Sequence, residues 1–313
     1  MEEKEEDMLE GRVGHRPNPL IINNYFGEFF LDNSSPNTSA GPSPIVPKPM
    51  PRPALKAVVL DNDETTGSYG LVFSVLGNIR VAFQASGLTD EGAVRILYQR
   101  LAAVLVKRRL FRPYLGPLLH CLTFLRDEGA LDSVIMYTNQ NEEVPFNPYN
   151  AFWKIMYNIP YSISYLMYEA FRTNAFDDVL SRPHYIDGIK NAACPKSFSR
   201  IFNLDPDRPR DTKDILFVDD NACPQFITAP PRTVVDPESY YRIGAYVRIL
   251  TDEELEDALK EILEGFLVED NVRDAIKKNY RKYAPLERIA LNKDEDDYAL
   301  VSLRRKILEK YVK

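Results

Sequence analysis

Uninterrupted apolar runs alternate along this chain with longer stretches in which apolar residues recur at helical spacing. Lys56 to Leu60 is the first such run, and its unbroken apolar character predicts a buried strand of a parallel sheet. Ser133 to Thr138 and Asp214 to Asp219 repeat the pattern, each closing on a polar side chain. Leu71 to Leu76, after a turn at Gly67, reads as a further β-favouring run. Helical periodicity covers Thr89 to Leu110, with Thr89 as the expected cap, and Tyr114 to Asp127, introduced by Arg112-Pro113. From Thr251 to Phe266, the residues Leu255, Leu259, Ile262, Leu263 and Phe266 fall on one helical face. Asn271 to Tyr283 and Asp297 to Val312 read as charged amphipathic helices that pack on the body. Strands separated by helices predict an α/β fold: a Rossmann-like parallel sheet with helices on both faces.

The pattern divides the chain into three parts. Residues 1–53 form an acidic, Pro-rich arm whose final part, Pro42 to Pro53, is too proline-dense for a helix or a central strand and reads as a flexible tether. Within it, Tyr25, Phe26, Phe29, Phe30 and Leu31 are apolar enough for a short docking element. Residues 54–266 form the body, and residues 267–313 the charged C-terminal helices. The aromatic-rich stretch from Phe146 to Phe171, with Phe152, Trp153, Tyr157, Tyr161, Tyr165 and Tyr168, is read as core rather than as a substrate groove.

Composition narrows the function. A net charge of −7 over 313 residues, 44% of them hydrophobic, supports a sizeable core and argues against direct nucleic-acid binding by bulk electrostatics. No apolar run reaches membrane-spanning length, and the acidic start is unlike a secretory or mitochondrial leader, so an intracellular setting, cytoplasmic or nuclear, is expected. Three cysteines (Cys121, Cys194, Cys223) and three histidines (His15, His120, His184) have neither disulfide-framework nor zinc-ligand spacing.

The chemistry gathers where strands end. Asp61 and Asp63 follow the first strand, at the carboxyl edge where open α/β sheets bind ligands. Converging carboxylates are costly unless a cation lies between them, which points to a divalent ion, Mg²⁺ being the hard-oxygen candidate. Thr138 closes the second strand, Asp219 and Asp220 close a later one, and Lys196 or Lys190 supplies a cation. These residue types suit phosphoryl transfer. Asp61 is the candidate nucleophile, forming an aspartyl-phosphate, and Asp63 the candidate acid and base. Thr138 and the lysine balance the remaining charge. Asp61, Asp63 (through its backbone carbonyl), Asp219 and Asp220 are the candidate metal ligands, and Thr65, Asn139 and Lys190 are assigned to substrate binding.

The ordered set Asp61-Asn62-Asp63-Glu64-Thr65, Thr138, a lysine and Asp219-Asp220 resembles the four motifs of the haloacid-dehalogenase-like superfamily. More narrowly it looks like the phosphatases of the RNA polymerase II C-terminal domain and their small relatives. Arg112-Pro113, Lys196-Ser197-Phe198-Ser199, Pro224 with Phe226, and the acidic helix start Asp252-Glu253-Glu254-Leu255 carry that narrower resemblance, over roughly Lys56 to Phe266. Asn62 and Thr66 depart from it, standing where apolar residues are usual. The resemblance implies a haloacid-dehalogenase-like fold and a Mg²⁺-dependent phosphatase acting on a phosphorylated substrate, including phosphoserine or phosphothreonine protein. A receiver domain would place its paired acids after the first strand, and a DxD glycosyltransferase would not need Thr138 or the late acidic pair. The alternative from another class is a catalytically silent domain that binds phosphorylated partners as a scaffold.

Overall fold

The computed structural model describes residues 52–86, 91–141, 158–182, 185–186, 189–190, 196–220, 236–283 and 298–312. All of them belong to one compact unit, Pro49–Lys313. Five strands form its sheet: β1 (Ala57–Leu60), β2 (Ser133–Asn141), β3 (Asp178–Arg182), β6 (Ile215–Asp219) and β7 (Tyr240–Arg242). Their order is β3-β2-β1-β6-β7, and every pairing is parallel. A short antiparallel pair, β4 (Tyr185–Ile186) with β5 (Ile189–Lys190), stands apart from it. Strand β1 is fully buried on both sides, as its all-apolar sequence requires of a central parallel strand.

The helices are α1 (Gly70–Ser86), α2 (Glu91–Lys107), α3 (Leu115–Asp127), α4 (Ile159–Phe171), α5 (Phe198–Phe202), α6 (Asp252–Leu263), α7 (Asp270–Tyr283) and α8 (Ala299–Tyr311). Alternation along the strands sends Val58, Leu60, Val134, Met136, Leu216 and Val218 to one face, into a core shared with every helix except α5. Ala57, Val59, Ile135, Tyr137, Ile215 and Phe217 point to the other face, where Phe198, Ile201 and Phe202 of α5 meet them. Both faces therefore carry helix, as expected, but unequally. The connection from β3 back across to β6 contains α5, and a right-handed crossover in that direction must run over the second face.

One expected strand is a helix. Leu71 to Leu76 lies in α1, whose Leu71, Val72, Val75, Leu76 and Ile79 make one buried helical stripe. The β-favouring composition is overridden by this burial, which each side chain gains only on a helix. Helix α6 matches its expectation and starts with a capping box: the Thr251 hydroxyl accepts from Glu254 N at 3.1 Å, and the Glu254 carboxylate accepts from Thr251 N at 2.9 Å. Ile276 and Tyr280 of α7 and Leu300, Leu303 and Ile307 of α8 are buried in the same core as the sheet. Tyr161, Tyr165 and Tyr168 are half-buried on α4, and Tyr165 packs edge-on against Tyr98 at 5.4 Å. The arm before Arg52, the cap residue Thr89, the stretch from Phe146 to Tyr157, and Pro224 and Phe226 lie outside the described residues.

Candidate functional site

The chain reverses direction across the sheet at β1 and β6. From β1 it proceeds to β2 and β3 on one side, and from β6 to β7 on the other. Such a switch point opens a crevice at the carboxyl ends of the two strands. Ala57 is level with Ile215 and Leu60 with Val218, so Asp61 and Asp219 leave the sheet side by side. The Asp61 amide extends the ladder, donating to the Val218 carbonyl at 2.9 Å.

Alternation sets where these acids point. Val59 and Phe217 face α5, and Asp61 and Asp219, two positions on, continue in that direction. Lys196 stands two residues before α5, so the helix that covers this face also delivers the lysine. Its approach is fixed by the Ser197 amide, which donates to the Tyr137 hydroxyl at 3.0 Å, and by Phe198 packed edge-on to Phe217 at 6.4 Å. The Lys196 ammonium lies 2.5 Å from Asp61 Oδ1 and 2.7 Å from Asp219 Oδ2.

Asp220 completes the cluster. Carboxylate oxygens of Asp61, Asp219 and Asp220 all lie within 4.8 Å of one another. The three acids are 4%, 2% and 6% exposed, and Lys196 is 3% exposed. One ammonium against three carboxylates leaves an excess of negative charge where water cannot screen it. Burial accordingly pushes the Asp61 carboxyl well above its ordinary range; Lys196 opposes the shift and Asp219 adds to it. Asp220 is pushed up to about 6, by burial first and then by Asp219 and Glu64. Burial disfavours the charge on Lys196, but Asp61 and Asp219 together outweigh it and hold the ammonium protonated. Asp61 stays raised because burial outweighs the help of Lys196, whose charge it shares with Asp219.

The donor set fits a divalent cation. Three buried hard oxygens with unbalanced negative charge could hold a divalent cation, with water completing its shell. Asp63 is half-buried and lies outside the three-carboxylate group; its backbone pairs with Gly67 in a single bridge.

The loop after β1 is held in an unusual shape. Glu64 adopts a left-handed conformation (φ 59°), and Glu64 N donates to the Gly67 carbonyl at 2.9 Å. A Cβ on Gly67 would stand 2.7 Å from the Leu110 carbonyl oxygen, so only glycine passes there. The two residues that depart from the resemblance both serve this loop. Thr66 Oγ1 donates to the Asn62 carbonyl at 2.7 Å and shares a hydrogen bond with the Tyr69 hydroxyl at 2.9 Å. Thr65, assigned to substrate binding, spends its hydroxyl on Asp220: it accepts from Asp220 N at 3.0 Å and lies 3.3 Å from Asp220 Oδ1.

Arg112 is the residue whose part the sequence did not disclose. It is 1% exposed, and its guanidinium donates to the Thr65 carbonyl at 3.1 Å and the Gly244 carbonyl at 2.6 Å. It therefore ties the loop after β1 to the segment after β7. Tyr246 supports it, with its ring 5.6 Å from the guanidinium and its amide donating to the Glu64 carbonyl at 2.7 Å. The Arg112-Pro113 pair was a visible signal for the first; Tyr246 had none.

Thr138 is buried near the same sheet edge, two positions past Met136, the partner of Leu60; its hydroxyl accepts from Gln140 N at 3.1 Å. The lysine alternatives separate here: Lys196 contacts the acids, whereas the Lys190 backbone belongs to the β4–β5 pair. The side chains of Lys190 and Asn139 lie outside the described set. Compared with known protein families, curated proteins and solved structures, the chain matches none.

Proposed function

We propose that this protein is a Mg²⁺-dependent phosphatase that works through a phosphoryl group carried on Asp61, and that it is related to the haloacid-dehalogenase-like enzymes its motifs resemble. The observation that carries this reading is the buried meeting of Asp61, Asp219, Asp220 and Lys196 at the switch point of the sheet. Ion pairing for stability alone is a poor explanation, because three acids around one lysine repel more than they gain when buried. A site built for an incoming cation and phosphate accounts for that imbalance.

In this reading an Asp61 carboxylate oxygen attacks phosphorus, the bond to the leaving oxygen breaks, and Asp63 gives that oxygen a proton. Asp63 then takes a proton from water, the water oxygen attacks phosphorus, and Asp61 is released with inorganic phosphate. Asp61, Asp219 and Asp220 would hold Mg²⁺, which supplies charge neutralisation for two approaching anions. Lys196 partly offsets the cost of charging Asp61 and orients its carboxylate, and Thr138 is assigned the part of donor to a phosphoryl oxygen. The substrate class this chemistry suits is a phosphate monoester, including phosphoserine or phosphothreonine in protein.

Hydrolysis of p-nitrophenyl phosphate with Mg²⁺, and with EDTA in its place, tests the proposal. Turnover should depend on the metal, fall by about a thousandfold or more in Asp61→Asn, and fall by roughly a hundredfold or more in Asp63→Asn. A folded wild-type protein with no turnover, or full activity in Asp61→Asn, would defeat the hydrolytic reading and leave phospho-partner binding in its place.

A further inference from the structure

The carboxyl end of β7 carries a charged residue that the chemistry above does not use. Asp61 lies one step past the Leu60–Val218 pair, level with Asp219, and Asp219 is level with Arg242. The three therefore stand in a row at the ends of adjacent strands. They also share a face of the sheet. Tyr240 stacks on Phe217, with ring centroids 6.0 Å apart and planes 7° from parallel, on the side covered by α5. Arg242, two positions on, continues in that direction, as Asp61 and Asp219 do.

Its setting differs from that of the lysine. Lys196 is buried between Asp61 and Asp219, whereas Arg242 is exposed. Its place is nonetheless fixed. The Ile243 amide donates to the Asp219 carbonyl at 2.9 Å, and Ile243 itself is buried in the core. Arg242 Nε donates to the Asp220 carbonyl at 3.3 Å. This bond uses a single N–H donor of a group that carries several.

Distance decides what Arg242 meets. Two strand spacings put its backbone about 10 Å from that of Asp61. The phosphoryl group belongs with Asp61, so Arg242 meets the substrate beside that group. An extended peptide advances about 3.3 Å per residue, which makes this gap about two or three residues. The three acids of the crevice would repel a negative side chain arriving there, and an arginine at the rim offsets them. Its planar, permanently charged fork matches a carboxylate.

We infer that Arg242 is a specificity residue: it favours phosphoserine or phosphothreonine peptides that carry Asp or Glu two or three residues from the phosphorylated position. This selection presupposes that the acid cluster is a phosphoryl site, as proposed above.

The probes are fluorescein-labelled phosphoserine peptides on a background of Gly, Ala and Ser. Each carries one Asp two or three residues before or after the phosphoserine, and matched peptides carry Asn or Lys there. Anisotropy titrations with the full chain bearing Asp61→Asn, in Mg²⁺, read binding without turnover. At least one Asp peptide should bind about threefold or more tighter than its Asn match. Adding Arg242→Gln should remove that preference, and Arg242→Glu should reverse it in favour of the Lys peptide, a swap that loss of a purely structural bond does not produce. Circular dichroism and the melting midpoint of both variants should match the parent. No saturable binding by any phosphopeptide, equal affinity for the Asp and Asn peptides, or a preference that survives Arg242→Glu would overturn the inference. Phosphate release from p-nitrophenyl phosphate by the wild-type chain tests hydrolysis separately, so either reading can fail alone.

Discussion

Lys196 brings a single positive charge to Asp61, Asp219 and Asp220, and the shortfall shows most plainly at Asp220, whose carboxyl is pushed up to about 6 by burial, then by Asp219 and Glu64. A folded-state value above the ordinary carboxylate range means that the folded protein holds this proton more tightly than the unfolded chain does. The resulting stability is complete below about pH 4 and fades as pH rises through about 6. A divalent ion competes with the proton for the same oxygens. In the metal-free protein, this group therefore favours folding less at about pH 7.5 than at about pH 5, and Mg²⁺ should raise the melting midpoint by several degrees at the higher pH and little at the lower. Differential scanning fluorimetry at both values, with and without the ion, measures this. Equal shifts would mean that Asp220 does not share in binding it.

At the scale of elements, the loop after β1 and the segment after β7 depend on one planar guanidinium. Arg112→Lys keeps the charge but cannot reach the Thr65 and Gly244 carbonyls together, and should cost about 2–3 kcal/mol in urea unfolding while weakening Mg²⁺ binding. Unchanged stability would show that the loop holds itself. The elements that sequence disclosed are those that sit in the middle of things. β1, β2 and β6 are central, so their apolar runs are long and unbroken, and the acids at their ends stand out by contrast. β3 and β7 lie at the two edges of the sheet, where Asp178-Val179-Leu180-Ser181-Arg182 and Tyr240-Tyr241-Arg242 carry too little apolar signal to be recognised. α1 was misread because six consecutive residues rich in Leu, Val and Phe satisfy either period until Ile79 is counted with them. The pair Arg112-Pro113 was visible, but the tie Arg112 makes was not: a side chain that binds backbone carbonyls leaves no partner residue in the sequence to find.

For the molecule as a whole, α8 is a structural member rather than an appendage. Leu300, Leu303 and Ile307 are buried in the main core, and the Tyr311 hydroxyl lies 3.0 Å from the Ala57 carbonyl and 2.9 Å from the Asp214 carbonyl. Tyr311→Phe should cost about 1 kcal/mol, and truncation before Tyr298 several, because three apolar side chains at about 1.5–3 kcal/mol each lose their cover. Urea denaturation of both variants measures the difference; a truncated chain as stable as the parent would detach α8 from the fold. Among the described residues no helix is long and apolar enough to cross a membrane.

The Tyr311 contact also orders events in time. Its two carbonyl partners stand 254 and 97 positions earlier in the chain, at the opposite ends of β1 and β6 from Asp61 and Asp219. A ribosome delivers residues in sequence, so both acid-bearing strands are made well before the hydroxyl that staples them together. A nascent chain therefore holds its future acid cluster on a pair of strands that Tyr311 has not yet fastened, and the clasp closes only once α8 has cleared the exit tunnel.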